Sequence, residues 1–551
     1  MRAFLLIQML CCLTVAYSQQ KAVIKVVDTT QQQRFKQFFH VSKDKDIKKQ
    51  VIRRIQESGF ISPKLKPSGM KGDTIFYKGE LGSRFPYLQL TIASDQLAVQ
   101  QNDSILLPIG QYPKYVNQLL NQLSEKGRVF SKVQLSRLNI KNDSTLAGHI
   151  RVAKSKKRNI SAIKLKGYQQ FPVSFLKYYL GIEQSSIFNK NEIVKRSNRI
   201  NELVFANQTK EPQVQFTKDS TVLYMYIEKQ KSNRFEGFLG FTNDDQQDLQ
   251  LNGDLDLSLV NNFNYGEAFQ LQYKNNGSDQ EKFAVGVELP FLFNTPFSIA
   301  LGLDFFRQDS TFSTTAQHIK FEYQLNRRWR VKTGAQFYRS TSLQDEQSIV
   351  IDTSVVDYQS SKLMIGSSLY MPSNINTRLP IKNSIDFETT LGKRNLLGIS
   401  NPEDDGVRQF NFKLDSQWFI PIDKRQFVYL GNYNRWLVSD NFVTNEMFRF
   451  GGMKNIRGFS ENSLFANFYT VLQTEYRYIL SPDLFVHSVL DLSYYENQRQ
   501  KIDKNLYGLG LGVGLQTQGG LLRLIIANGN ESGQNIKFDQ TQFHISFSSV
   551  F

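Results

Sequence analysis

Cysteine occurs only twice, as Cys11 and Cys12, so beyond them neither a disulfide framework nor a thiolate metal site can be built. Histidine is nearly as scarce, with five in the chain. No His, Asp and Glu stand together at metal-ligand spacing, and no metal or other cofactor is expected. Long apolar runs are missing too. No segment approaches the roughly 18 consecutive apolar residues of a transmembrane helix, which excludes a helical anchor. His544, Ser546 and Asp491 share a face by alternation, but they lack a nucleophile-elbow setting. A catalytic role is not expected.

What is present begins with an export signal. Arg2 precedes the uncharged, mostly apolar stretch Ala3 to Val15, and Ala16-Tyr17-Ser18 supplies a small-x-small cleavage pattern, so residues 1–18 read as a signal peptide. Leu10 before Cys11, and Cys11 before Cys12, do not supply the small residue that lipidation requires.

Charge divides the chain. Residues 19–233 hold 37 Lys and Arg against 16 Asp and Glu, whereas residues 234–551 hold 29 against 34. A basic half and a faintly acidic half imply two bodies in different surroundings.

The second half alternates with the period of a strand. In LQLNGDLDLSLV, Leu249, Leu251, Leu255, Leu257 and Leu259 fall on one side, and Gln250, Asn252, Asp254, Asp256 and Ser258 on the other. Ile319, Phe321, Tyr323 and Leu325 repeat the pattern, as do Phe410, Phe412, Leu414 and Trp418. Sixteen such segments begin near residues 234, 249, 266, 281, 296, 313, 329, 355, 378, 408, 425, 465, 484, 505, 519 and 540. An even number of amphipathic strands with one apolar side fits an antiparallel barrel in lipid over residues 234–551. Gly508, Gly510, Gly512 and Gly514 alternate with Leu509, Leu511, Val513 and Leu515. No helix pattern follows, so these glycines are not a phosphate loop; they leave room inside the barrel.

The first half reads as α+β modules. DIKKQVIRRIQESGF sets Ile47, Val51, Ile55 and Phe60 at near-helical spacing, and IFYKGEL and YLQLTIA follow as strands. PKYVNQLLNQLSEKG, with Val116, Leu119, Leu120 and Leu123, begins a second such unit, and residues after Arg158 a third. The expected modules are residues 19–98, 99–157 and 158–233. In series ahead of a barrel they resemble the POTRA domains of the BamA/TamA/FhaC outer-membrane superfamily, closest to the shorter TamA-like architecture.

A sharper resemblance lies between the eleventh and twelfth strands. FRFGGMKNIRGFSEN has Gly451-Gly452 and then Ile456-Arg457-Gly458-Phe459, similar to the glycine pair and Val/Ile-Arg-Gly-Phe/Tyr motif that this superfamily carries in its sixth loop. The resemblance implies that Arg457 folds back into the lumen and meets acids on the next two strands. Alternation turns Glu475 and Asp491 inward. The terminal TQFHISFSSVF, with Phe543, Ile545, Phe547 and Phe551 on one side, resembles the β-signal of outer-membrane proteins.

The function this resemblance implies is assistance to the folding and insertion of other outer-membrane proteins, through a seam between the first and last strands. Gly237 and Gly240 are expected to weaken the first strand. Two alternatives are an exporter that passes one secreted partner through the lumen, and a passive porin. The implied partners are unfolded outer-membrane clients, outer-membrane lipids, and a periplasmic or inner-membrane partner for the basic modules. Nucleic acid is not expected. The implied location is the outer membrane of a Gram-negative bacterium, with the modules in the periplasm.

Overall fold

The computed structural model describes residues 22–28, 40–41, 47–71, 74–92, 104–243, 249–275, 280–344, 355–372, 382–397, 406–517, 519–534 and 541–550. The expected signal peptide and Phe551 lie outside them. The chain divides into two compact units. The first holds the described residues up to 160, with 185–192 and 218–221, and the second holds the rest of the third module with the barrel.

Ahead of the barrel a parallel pair of strands with a third strand beside it recurs three times, and the first two sheets add a fourth strand at the edge. In the first module β1 (Ala22–Asp28) runs parallel to β4 (Thr74–Glu80), which forms a hairpin with β3 (Lys64–Lys71), while β2 (His40–Val41) borders β1. In the second, β5 (Tyr87–Ile92) runs parallel to β8 (Thr145–Ala153), β7 (Lys132–Asn142) pairs with β8, and β6 (Ser104–Pro108) borders β5. In the third, β9 (Ala162–Gly167) runs parallel to β11 (Thr221–Lys229), with β10 (Ala206–Phe216) on the other side of β11. Helix α1 (Ile47–Glu57) buries Val51 and Ile55 against Phe60, Leu65 and Tyr77. Helix α2 (Tyr112–Glu125) buries Leu119 and Leu123 against Leu88, Leu90 and Ile150. A short α3 (Lys190–Ser197) belongs to the third module.

This order corrects the expected boundary at residue 98. Tyr87–Ile92, read as a strand of the first module, is hydrogen-bonded to β6 and β8. The second module therefore begins before Tyr87. The partner β8 lies more than fifty residues downstream, so local periodicity carries no sign of that parallel pairing.

The barrel is closed and has sixteen strands. They are β12 (Arg234–Asn243), β13 (Leu249–Val260), β14 (Ala268–Asn275), β15 (Gln280–Leu289), β16 (Phe297–Gln308), β17 (Phe312–Gln324), β18 (Trp329–Ser342), β19 (Tyr358–Pro372), β20 (Lys382–Leu396), β21 (Val407–Pro421), β22 (Gln426–Ser439), β25 (Phe468–Ser481), β26 (Leu484–Asn497), β27 (Ile502–Gln516), β28 (Leu521–Glu531) and β29 (Thr541–Val550). Between β22 and β25, in the sixth loop, β23 (Phe448–Phe450) and β24 (Leu464–Ala466) form a small hairpin.

Burial in this body is inverted relative to a protein in water. Leu363, Leu511 and Phe543 are each more than 70% exposed, while Glu388, Arg394, Glu475, Arg477 and Asp491 are buried. The interior charges are paired: Lys332 Nζ lies 2.7 Å from Glu388, and Arg330 2.8 Å from Glu322. An apolar exterior around a polar interior, with backbone groups satisfied by closure, is the form in which strands cross a bilayer.

The third module is fastened to the turns at one end of the barrel. The ring of Phe175 meets that of Phe291 edge-on at 4.8 Å, and Tyr178 stacks on the same Phe291 at 5.6 Å. Tyr178 OH donates to the Asn294 carbonyl at 2.5 Å. Tyr168 OH donates to Asn264 at 2.5 Å and accepts from Asn261 at 2.9 Å. Arg327 closes an ion pair to Glu202 at 3.2 Å.

Candidate functional site: the lumenal sixth loop and the strand seam

The sixth loop lies in the lumen because both of its halves have buried partners there. Ile456 is fully buried with Phe450, Ala466, Tyr469, Val471 and Leu506. That apolar knot sets the next residue, Arg457, against the wall. Its backbone N–H and its Nε donate to Asp491 Oδ2 at 2.9 and 2.8 Å, Nη2 donates to Asp491 Oδ1 at 2.5 Å, and Nη1 donates to Glu475 Oε1. All three side chains are at most 2% exposed. The guanidinium thus grips Asp491 with two parallel hydrogen bonds, a geometry that lysine cannot supply.

Gly458 makes the approach possible. Its φ is +91°, and a Cβ there would lie 2.4 Å from the Gly529 backbone nitrogen on β28. On the other side, a Cβ at Gly508 would lie 2.1 Å from the Arg457 carbonyl oxygen. The glycines of β27 therefore do leave lumenal space, and the loop motif occupies part of it. Gly451 and Gly452 are buried in the turn that follows β23, and Phe459 packs beside the apolar knot.

Glu475 carries more than one cation. Arg477 Nε donates to its other oxygen at 2.5 Å, Arg523 lies 3.6 Å away, and His487 Nδ1 also lies 3.6 Å away. Arg477 in turn is surrounded by the rings of Phe419, Phe427, Tyr429 and Phe485 at 5.2 to 6.0 Å. Asp491 has Arg457 as its sole cation among the described residues.

The seam is built differently from every other junction. β12 and β29 share three residue pairs, Arg234 with Val550, Phe235 with Ser549, and Glu236 with Ser548. The other barrel junctions have at least eight pairs each among the described residues. Pairing across the seam stops at Gly237, which has φ +144°; a Cβ there would lie 1.9 Å from the Asp254 carbonyl oxygen on β13. Gly240 is paired with Asn252 on β13. Phe543 and Ile545 point outward, 71% and 63% exposed, and Phe547 is half-buried. From Thr541 to Phe547 the last strand is paired with β28 alone among the described residues.

No protein-family model matches the chain, and no curated protein matches it in sequence. Solved structures do. CdiB from Escherichia coli aligns at 14% identity and a TM-score of 0.55, covering 91% of this chain and 96% of its own. CdiB from Acinetobacter baumannii aligns at 13% identity and 0.52, covering 91% and 97%. The chain shares the fold of these two CdiB structures. BamA from Haemophilus ducreyi lacking POTRA domains 1–3 also aligns, at 14% identity and 0.48, covering 83% and 96%. The CdiB correspondence reaches past the barrel into the modules, because residues 234–551 make up far less than 91% of the chain.

Within this fold, several site residues escaped the sequence reading. Arg477, His487 and Arg523 point inward by the same alternation that marks Glu475 and Asp491, so a signal existed, but it is shared with every other inward polar residue. A second anchor also escaped it. Arg394 on β20, 1% exposed, donates to Glu446 Oε1 at 2.6 Å, and Gln409 donates to Glu446 Oε2 at 2.7 Å. The fully buried Asn445 donates to Ser340 Oγ and to the Val356 carbonyl, both at 2.7 Å. The sixth loop is thus held at two places: its stem against β18 to β21, and its tip against β25 and β26. The tip also touches the last strand, where Gly458 N–H donates to His544 Nε2 at 3.4 Å.

Proposed function

We propose that this protein works in a bacterial outer membrane as an assembly factor, receiving unfolded β-barrel clients at the seam between β12 and β29. It needs no catalytic centre. A client strand would add to the unpaired edge of β29 through backbone hydrogen bonds, the same interaction that joins strands within a sheet. The observation that carries this reading is the three-pair seam: a nearly unpaired junction in an otherwise fully paired wall is where the barrel opens sideways at least cost. The two-point anchoring of the sixth loop keeps the rest of the wall in shape while the seam parts. The modules would stand in the periplasm, where their positive charge attracts acidic partners or lipid headgroups.

The test is quantitative proteomics of the outer-membrane and secreted fractions after depletion of this protein. A fall in many barrels, or in a defined subset of them, is the expected result. Loss of one secreted protein with all barrels intact would replace the proposal with export through the lumen, and no change in either fraction would leave a passive channel.

A further inference from the structure

Away from Arg457 the lumen holds a cavity of about 310 Å³ between the stem of the sixth loop and the wall from β15 to β22. Its lining carries three cations: Lys282 on β15, Lys362 on β19 and Arg449 on the stem. Among the described residues none of the three has a carboxylate within ion-pair distance. Against them the lining carries two acids, one of which is committed elsewhere. Glu446 is taken up by Arg394, Gln409 and the Val443 backbone N–H, which leaves Asp304, 3.8 Å from His318, as the one carboxylate facing three cations. Lys362 Nζ reaches only the side chain of Asn411, at 3.3 Å. Arg449 lies over the ring of Phe306 at 3.7 Å, and its Nη1 has no hydrogen-bond partner.

Enclosed cations that outnumber the counter-charges facing them are costly unless something neutralises the excess. We propose that this cavity binds a small oxyanion of the phosphate or carboxylate class between Lys282, Lys362 and Arg449. Its volume is at the small end of ligand pockets, which span roughly 300–1,000 Å³. It therefore suits a compact anion with its water rather than a polymer. Because Arg449 belongs to the loop stem while Lys282 and Lys362 belong to the wall, a bound anion would bridge the two and brace the stem in its lumenal position. The site is separate from the seam and does not depend on the assembly role.

The test is isothermal titration calorimetry on the full chain in detergent micelles at constant ionic strength, with inorganic phosphate in one arm and succinate in the other. The expected result is saturable one-to-one binding of at least one of them, and the arm that binds more tightly identifies the class. Lys362→Met should weaken binding at least about tenfold, the factor that loss of one charged donor gives. Lys362→Arg should retain it, and the exposed Lys424→Met should not change it. Should Lys362→Met fail to give the heat-modifiable mobility of a folded barrel, Lys282→Gln is read in its place with the same expectation. No saturable heat with either anion, or equal affinity in the folded cavity variant, overturns the proposal.

Discussion

The two carboxylates around Arg457 are not equivalent, and substitutions should separate them. Asp491 depends on Arg457 alone, whereas Glu475 is also held by Arg477 and approached by Arg523. Arg457→Ala therefore strands Asp491 as a buried unpaired charge, at a cost of about 3–5 kcal/mol. The expected outcome is earlier thermal loss of heat-modifiable mobility and new protease cleavage between residues 440 and 467. Adding Asp491→Asn to Arg457→Ala should recover much of that loss. Adding Glu475→Gln should deepen it, because Arg477 then loses its carboxylate. If both double variants behave alike, the assignment of separate roles is wrong. Arg394→Ala should likewise loosen the stem, because Glu446 loses its only cation among the described residues. Arg457 was legible in the sequence because a short motif resembling that of a known family marks it, and its partners because the resemblance implies acids on the next two strands and alternation turns Glu475 and Asp491 inward. Arg394 and Glu446 were not legible, since they are separated by a long stretch of chain and meet only once the loop has turned inward.

Among elements, the strands were the most legible part of the molecule. Sixteen were expected, and each begins within a few residues of its observed start, since a wall with lipid outside and a polar lumen inside writes its period directly into the sequence. The strength of pairing between strands was not legible. RFEGFLGF and FHISFSSVF alternate as their neighbours do, yet they share three pairs. The pairing ends where the backbone takes a positive φ at Gly237. Opening of this junction can be tested by locking it, for the chain beyond Cys12 has no cysteine to interfere. A cysteine pair at the register partners Phe235 and Ser549 should, when oxidised, abolish client insertion into proteoliposomes while the barrel stays folded, and reduction should restore it. A control pair at Leu257 and Leu271, which join β13 to β14, should have no effect. Full activity of the oxidised seam variant would show that the wall does not part there.

At the scale of the whole molecule, the question is whether the third module can move the barrel. The chain passes from β11 into β12 through residues 230–233, and even this link is tied down: Ser232 donates to the Val260 carbonyl at 2.7 Å, and Val260 N–H donates to Asn233 Oδ1 at 3.1 Å. The first seam strand is thus the direct continuation of a module whose aromatic residues are inserted against the barrel turns. Phe291 and Phe293 separate fastening from mere exposure. Both have φ +52°, but Phe291 is 6% exposed between Phe175 and Tyr178, whereas Phe293 is 95% exposed. Phe291→Ala empties that packed position, a change that typically costs about 3–5 kcal/mol. It should make residues 161–233, rich in lysine and arginine, markedly more sensitive to trypsin. Phe293→Ala should leave the digestion rate unchanged, as surface substitutions usually shift stability by no more than about 0.5 kcal/mol. If the module transmits force to the seam, Phe291→Ala should also change how readily the 235–549 cysteine pair oxidises. Faster digestion with an unchanged oxidation rate would mean that the module is fastened to the barrel but that the seam opens without it.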